Sequence, residues 1–169
     1  MYIKNYEMYH GAVLVHLIRK EKPISLRLIE THPKEQWSTY VINDAISILI
    51  THSTNARKVR QGVEGTSWTF SVSAKQLNQI KTAEKPIHVA LVCARKNLGE
   101  DKQVICLLSP KQVCDVFDLE KENQGITVRK PDGKGKLIVF KEKREIFKEK
   151  HKGDVLDIFS FQQWKPGRS

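Results

Sequence analysis

Two runs of the chain, Ile87 to Ala94 and Val104 to Leu108, are apolar at nearly every position. A strand that is exposed on one face alternates polar and apolar residues, whereas a strand covered on both faces does not. The two runs therefore predict central strands of a sheet that has other layers packed on both of its faces. The core of the fold is expected to centre on them.

Two helix starts carry a capping-box pattern. Ser73 is followed three residues later by Gln76, so that the hydroxyl and the amide can each satisfy a backbone N–H at the first turn. Ser109 begins the same pattern, with a proline added at the first helical position, where its missing donor costs nothing. We predict helices over residues 74–81 and from residue 110 to near 119.

A third helix is predicted close to the N-terminus. Large apolar side chains recur there at steps of three or four residues, at Tyr2, Tyr6, Tyr9, Val13 and Leu17. This spacing lines one face of a helix. A strand over residues 12–18 is the alternative that the pattern leaves open, and Pro23 ends the segment in either case.

Three further segments have strand patterns. Ile24 to Leu28 alternates, Ile46 to Ile50 is β-branched within a longer run from Thr39, and Trp68 to Val72 alternates with its large side chains on one side. The first two are predicted to pair through a polar loop over 31–38. Residues 52–67 are predicted to form a mobile basic loop.

The elements together predict an α/β (mixed α+β) fold class. We expect a single domain with a central mixed sheet flanked by helices, in αβββαβ-type order, followed by a C-terminal basic hairpin of 126–129 and 136–140. Within 169 residues we assign an α/β core to 1–120, the basic hairpin and charged segment to 121–152, a redocking apolar segment to 153–164 and a loose tail to 165–169.

The location expected from the sequence is cytoplasmic. The longest apolar runs fall far short of the ~18 residues that a membrane helix needs, and the first residues lack the pattern of an export signal. We therefore expect no membrane partner. Oligomeric state is left open.

Positive charge is concentrated towards the C-terminus. Residues 121–152 contain eleven Lys and Arg against five Asp and Glu, a balance of +6 within a chain whose formal net charge is +10. Such a surface attracts phosphates and binds them with release of counterions. We predict nucleic-acid contacts, to DNA or RNA, from Arg129, Lys130, Lys134, Lys136, Lys141, Lys143 and Arg144, assisted by Arg57, Lys58 and Arg60.

The same charges also fit a simpler interpretation. Residues 141–150 alternate in sign, which is typical of a solvated helix face held by pairs of side chains four residues apart. The turn at 131–135 is what favours a binding surface, because Asp132 alone offsets the cations that surround it. A basic turn of this kind can enter a groove or follow a backbone.

The order of helix, three strands, helix and strand resembles that of the restriction-endonuclease-like superfamily, known for PD-(D/E)XK nucleases. The resemblance covers roughly Tyr6 to Leu108. It implies a divalent metal such as Mg²⁺, held by carboxylates on the second and third strands. Asp44 lies near the second strand, but the third strand, Trp68 to Val72, carries neither a carboxylate nor a lysine. Weak catalytic candidates are Glu7, Glu30 and Asp44.

Cysteine and histidine spacings predict no bound metal and no cofactor. The three cysteines, Cys93, Cys106 and Cys114, share no metal-binding spacing and are expected in the core. Trp37, Trp68 and Trp164 are candidate platforms for base stacking. Core packing is favoured for Trp68, whereas Trp37, in the predicted polar loop, is the more open candidate.

These observations favour a non-enzymatic nucleic-acid-binding protein that contacts the phosphate backbone through its basic hairpin. Two alternatives from other classes are a divergent Mg²⁺-dependent nuclease and an adaptor that docks an acidic protein on the basic face.

Overall fold

The computed structural model describes residues 1–20, 25–62, 64–96, 104–133, 136–141 and 156–157. Over these residues the chain has a mixed α+β fold, as the sequence predicted. Three helices are present: α1 (Asn5–Lys20), α2 (Ala74–Lys81) and α3 (Pro110–Val116). The described strands are β1 (Leu26–His32), β2 (Trp37–Ile42), β3 (Ile46–Ser53), β4 (Ala56–Val59), β5 (Gly65–Val72), β6 (Ile87–Cys93), β7 (Val104–Leu108), β8 (Gln124–Pro131), β9 (Lys136–Lys141) and β10 (Leu156–Asp157).

The strands form two sheets of five. The first sheet has the order β1-β2-β3-β6-β7 and is mixed, because β3 and β6 are parallel while the other neighbours are antiparallel. The second sheet has the order β10-β9-β8-β5-β4 and is antiparallel throughout. The sequence predicted one central sheet, so the assignment of β5 to a second sheet is a correction.

Buried side chains form two hydrophobic clusters, one on each face of the first sheet. One cluster lies between the sheets and joins Leu91 and Cys106 of the first sheet to Phe70 and Ile126 of the second. The other lies beneath α1, whose Tyr9, Val13 and Leu17 pack on β3 and β6. The apolar run from Ile87 is buried along its whole length, which confirms one of the two predicted central strands. The prediction for the run from Val104 is wrong, because it forms β7 at the edge of the first sheet, where burial alternates along the strand.

The helices follow the local signals. Ser73 and Ser109 each cap a helix, and both capping boxes are complete, with the side-chain amide of the third helical residue returning to the cap. The structure also decides the N-terminal alternative in favour of a helix, although Tyr2 lies before it and is exposed. The helix α3 ends at Val116 rather than near Leu119, because Phe117 turns to extended backbone.

Two of the strands that precede α2 were not predicted. The run from Thr39 to Ile50 is divided by a turn in which Asn43 and Asp44 both have φ of 52°, a conformation that short polar side chains tolerate. It forms β2 and β3 rather than one strand, and β1 pairs with β2 directly. Part of the predicted mobile loop, residues 56–59, is the edge strand β4.

Most of the predicted C-terminal segments lie outside the described residues. These are the charged residues after 141, the redocking segment apart from Leu156–Asp157, and the tail. In the part of the chain that the structure describes, none of the three helices combines the length and apolar character needed to cross a bilayer.

Candidate anion-binding cleft

A cleft of about 800 Å³ opens where the ends of the two sheets meet. It lies at the carboxyl ends of the parallel strands β3 and β6, the edge at which sheets with parallel strands commonly bind ligands. The backbone N–H of Ala94 donates to the carbonyl of Ser53 at 2.9 Å and holds these two ends together. We call this cavity the basic cleft; its lining includes Lys58, Thr66, Trp68, Arg95, Lys130 and Asp132.

One wall of the basic cleft is built by three adjacent strands of the second sheet. Thr66 of β5 is paired with Lys58 of β4 on one side and with Lys130 of β8 on the other. Paired residues of neighbouring strands share a face of the sheet. Both lysines therefore face the cleft, on either side of a threonine hydroxyl, and their Cα atoms are two strand spacings apart, roughly 10 Å.

The opposite wall comes from the first sheet. Arg95 lies two residues after the end of β6, and its carbonyl accepts a hydrogen bond from the hydroxyl of Tyr9 at 3.2 Å. The neighbouring carbonyl, of Ala94, accepts one from the indole N–H of Trp68 at 2.8 Å. These two bonds fix the backbone that carries Arg95. Trp68 itself is only 1% exposed, so its ring is part of the core, as predicted, and cannot stack on a base.

The described part of the lining of the basic cleft has a positive net charge. It carries Lys58, Arg95 and Lys130 against Asp132, whose backbone N–H donates to the carbonyl of Glu64. The other end of β8 is acidic, since residues 115–122 carry four carboxylates and one lysine. A second hollow of about 590 Å³ near that end includes Glu35 in its lining. The charge is therefore polarised along the second sheet, which favours an anion at the cleft.

The structure divides the predicted basic residues between the two faces of the second sheet. Arg57 and Arg129 both pair with Ser67, and each is next in sequence to one of the cleft lysines. Because neighbouring residues of a strand point to opposite faces, the two arginines lie on the outer face of the sheet. There the guanidinium of Arg129 lies 5.0 Å from the ring centroid of Phe140. Arg60 follows β4, and Lys136 and Lys141 lie at the two ends of β9. Lys134, Lys143 and Arg144 fall outside the described residues.

Sequence reasoning missed Arg95. The available signal was its position just after a buried strand that runs parallel to its neighbour, where side chains come to the carboxyl edge of a sheet. The parallel pairing of β3 and β6, which makes that edge a site, was not predicted.

The three candidate carboxylates lie on separate elements. Glu7 is in the first turn of α1 and accepts the backbone N–H of Lys4 at 2.7 Å. Glu30, on β1, accepts a hydrogen bond from the amide of Gln79. Asp44 lies in the β2–β3 turn, 3.4 Å from the guanidinium of Arg27. Among the described residues no group of three or more His, Cys, Asp or Glu side chains could hold a metal ion.

Two predictions about single side chains are wrong. Trp37 is fully buried on β2, and its indole N–H donates to Glu35 at 2.9 Å, so it offers no open stacking surface. Cys114 is exposed on α3, although Cys93 and Cys106 are buried as predicted. Trp164 lies outside the described residues.

A histidine cluster lies on the α1 side of the first sheet. His10 is buried, its Nδ1 lies 3.1 Å from the hydroxyl oxygen of Ser38, and its ring is 6.0 Å from that of His52. Burial, with a smaller contribution from His52, lowers the pKa of His10 from 6.5 to about 4. Burial also lowers the pKa of His52. The rings are therefore neutral at pH 7, and the cluster adds no cation to the cleft.

No family model, no curated protein and no solved structure matches this chain. The resemblance to the restriction-endonuclease-like superfamily therefore stays a prediction from the order of elements.

Proposed function

We propose that this protein binds nucleic acid by its phosphate backbone, and that the basic cleft is its principal contact. The observation that carries the proposal is the convergence of Lys58, Lys130 and Arg95 on one cavity from two sheets. Cationic side chains and hydroxyls are the groups that hold phosphates in such interfaces. The proposed role is binding, without a catalytic step, in the cytoplasm.

A polyanion explains more of the surface than a single small anion does. Arg57 and Arg129 lie on the outer face of the strands that bear the cleft lysines, and Arg60 follows the edge strand β4. A ligand longer than the cleft can therefore contact the cleft lysines on the inner face of the second sheet and these arginines on and near its outer face. The formal charge of +10 also increases the rate at which a polyanion is encountered.

The test is a titration of labelled DNA and RNA by fluorescence anisotropy, at 50 and 200 mM salt. If the cleft alone makes three phosphate contacts, a plot of the logarithm of the binding constant against the logarithm of the salt concentration should have a slope of about −2 to −3. Binding that does not respond to salt, or no binding to either nucleic acid, would refute the proposal.

Purification without nuclease separates this proposal from the adaptor alternative. Retained nucleic acid, seen as a high ratio of absorbance at 260 nm to that at 280 nm, supports the proposed function. Co-purification of an acidic protein at stoichiometric yield, with no bound nucleic acid, would support an adaptor instead.

A further inference from the structure

We infer that the basic cleft takes a single-stranded segment in preference to a duplex, and that it contacts the backbone without reading the bases. The inference rests on the proposed function and specifies its substrate class. Three features of the cleft carry it: cations on opposing walls, the spacing between the two lysines, and the burial of the aromatic ring beneath them.

The opposing walls decide between one strand and two. Lys58 and Lys130 belong to the second sheet, whereas Arg95 follows a strand of the first, so a bound backbone is contacted from two sides. A single strand is thin enough to lie between such walls. A duplex presents its phosphates on a convex outer surface and reaches the cations of one wall at a time.

The size of the cleft and the spacing of its lysines decide between a chain and a lone nucleotide. A volume of about 800 Å³ is within the range of pockets that enclose a small ligand. The Cα atoms of Lys58 and Lys130 are nevertheless roughly 10 Å apart, two strand spacings, which exceeds the span of one phosphate group. Lysine side chains that extend in parallel from the sheet at this spacing each meet a different phosphate of a chain, whereas a mononucleotide contacts both lysines only if the two side chains converge on it.

The burial of Trp68 decides against base recognition. Proteins that hold single strands by their bases stack them on exposed aromatic rings. Trp68 is the aromatic residue in the described lining of the cleft, and it is 1% exposed, with its N–H already bonded to Ala94. Contacts are then left to the backbone, and affinity is expected to depend little on base sequence.

The experiment compares short labelled DNA ligands at 100 mM salt: single strands of two unrelated sequences, their duplexes, and a mononucleotide. The cleft variants are Lys58→Gln, Lys130→Gln and the double substitution. The control is Lys85→Gln with Lys111→Gln, which removes the same charge as the double substitution. Lys85 lies just before β6, and Lys111 is in the first turn of α3, which follows the end of β7 that pairs with the amino end of β6, so both lie away from the cleft. Circular dichroism checks that each variant is folded.

The inference predicts that both single strands bind alike, and more tightly than duplex or mononucleotide. Each lysine substitution should weaken single-strand binding about 5-fold at 100 mM salt and the double substitution about 25-fold, with the salt slope reduced by about 0.7 for each lysine. The control variant should change the affinity less than 2-fold.

Two results would overturn the inference by different routes. Duplex bound as tightly as single strand, or single-strand affinity equal in the cleft and control variants, would remove this role of the cleft while leaving nucleic-acid binding by other cations intact. Binding of wild-type protein to none of the DNA ligands or RNA would remove the proposed function itself.

Discussion

Lowering the pH from 7 to 5 is expected to destabilise the protein through two buried histidines, His10 and His88. His88 lies on β6, on the side of the first sheet that α1 covers, and is 8% exposed. Burial lowers its pKa from 6.5 to about 4, as it does for His10. Both rings are therefore neutral in the folded protein at pH 5, whereas both are largely protonated in the unfolded chain.

The size of the effect follows from the difference in bound protons. Because the pKa of each ring is lowered in the folded protein, the contribution of that histidine to stability is fully present above pH 6.5 and is lost as the pH falls towards 4. Between pH 6.5 and pH 5, a span of about 1.5 pH units, each histidine is protonated in the unfolded chain but not in the folded protein. This difference lowers the free energy of unfolding at pH 5 by about 2 kcal/mol for each histidine. His52 acts in the same direction. Glu35 does not contribute in this window, because its lowered pKa matters only below 4.5.

Urea unfolding followed by tryptophan fluorescence measures the effect, because Trp37 and Trp68 are both buried. The free energy of unfolding at pH 7 should exceed that at pH 5 by about 4 kcal/mol from the two histidines together. In His88→Gln this difference should shrink by about 2 kcal/mol, whatever the variant does to stability at pH 7. An unchanged pH difference in the variant, or a His88 ring that titrates near 6.5 by NMR in the folded protein, would refute the reasoning.

Three further predictions concern single positions. Gly65→Ala should cost about 1–3 kcal/mol in chemical unfolding, because a Cβ there would overlap the backbone carbonyl of Lys130, whereas Gly125→Ala, with open space, should cost little. A thiol reagent should modify Cys114 alone in the folded protein, and reaction of all three thiols at one rate would contradict the fold. Ser109→Ala should lower unfolding free energy by about 1 kcal/mol through loss of the α3 cap; no loss would contradict that role.

What the sequence predicted well depends on contacts between near neighbours in the chain. Both ends of α2 were predicted at the observed residues, and its start is marked by a local signal, since the backbone N–H of Gln76 donates to the hydroxyl of Ser73 only three residues earlier. The buried strand from Ile87 could also be predicted from the sequence, because a strand that is buried on both faces is apolar at consecutive positions.

What the sequence did not predict depends on pairing between distant segments. The strand β5 joins a second sheet because Trp68 pairs with Val128, sixty residues later. Its alternating pattern shows that one face is buried, but it does not identify the partner strand. The short strand β4 has little apolar pattern of its own, and its partner β5 defines it as a strand.

One part of the site could have been predicted and was not. Arg129 and Lys130 were predicted to share one surface because both lie in the charge-rich segment, although adjacent residues of a strand point to opposite faces. The register assigns Lys130 to the cleft with Trp68, and Arg129 to the outer face with Phe140. The two-residue alternation of a strand already implies that these two neighbours lie on opposite faces. The contribution of Arg95 could not be predicted in this way, because it depends on how the two sheets are arranged.

This division makes Arg129 and Lys130 a matched pair for a final prediction. Each substitution to glutamine removes one positive charge from the same strand, so a purely electrostatic surface would lose equal affinity in both variants. With a single strand of roughly six nucleotides, the cleft geometry instead predicts that Lys130→Gln weakens binding about 5-fold and Arg129→Gln less than 2-fold. Arg129→Gln should cost up to about 1 kcal/mol of stability through its lost contact with Phe140. Equal losses of affinity in anisotropy titrations would show that net charge, and not the alternation of the strand, determines binding.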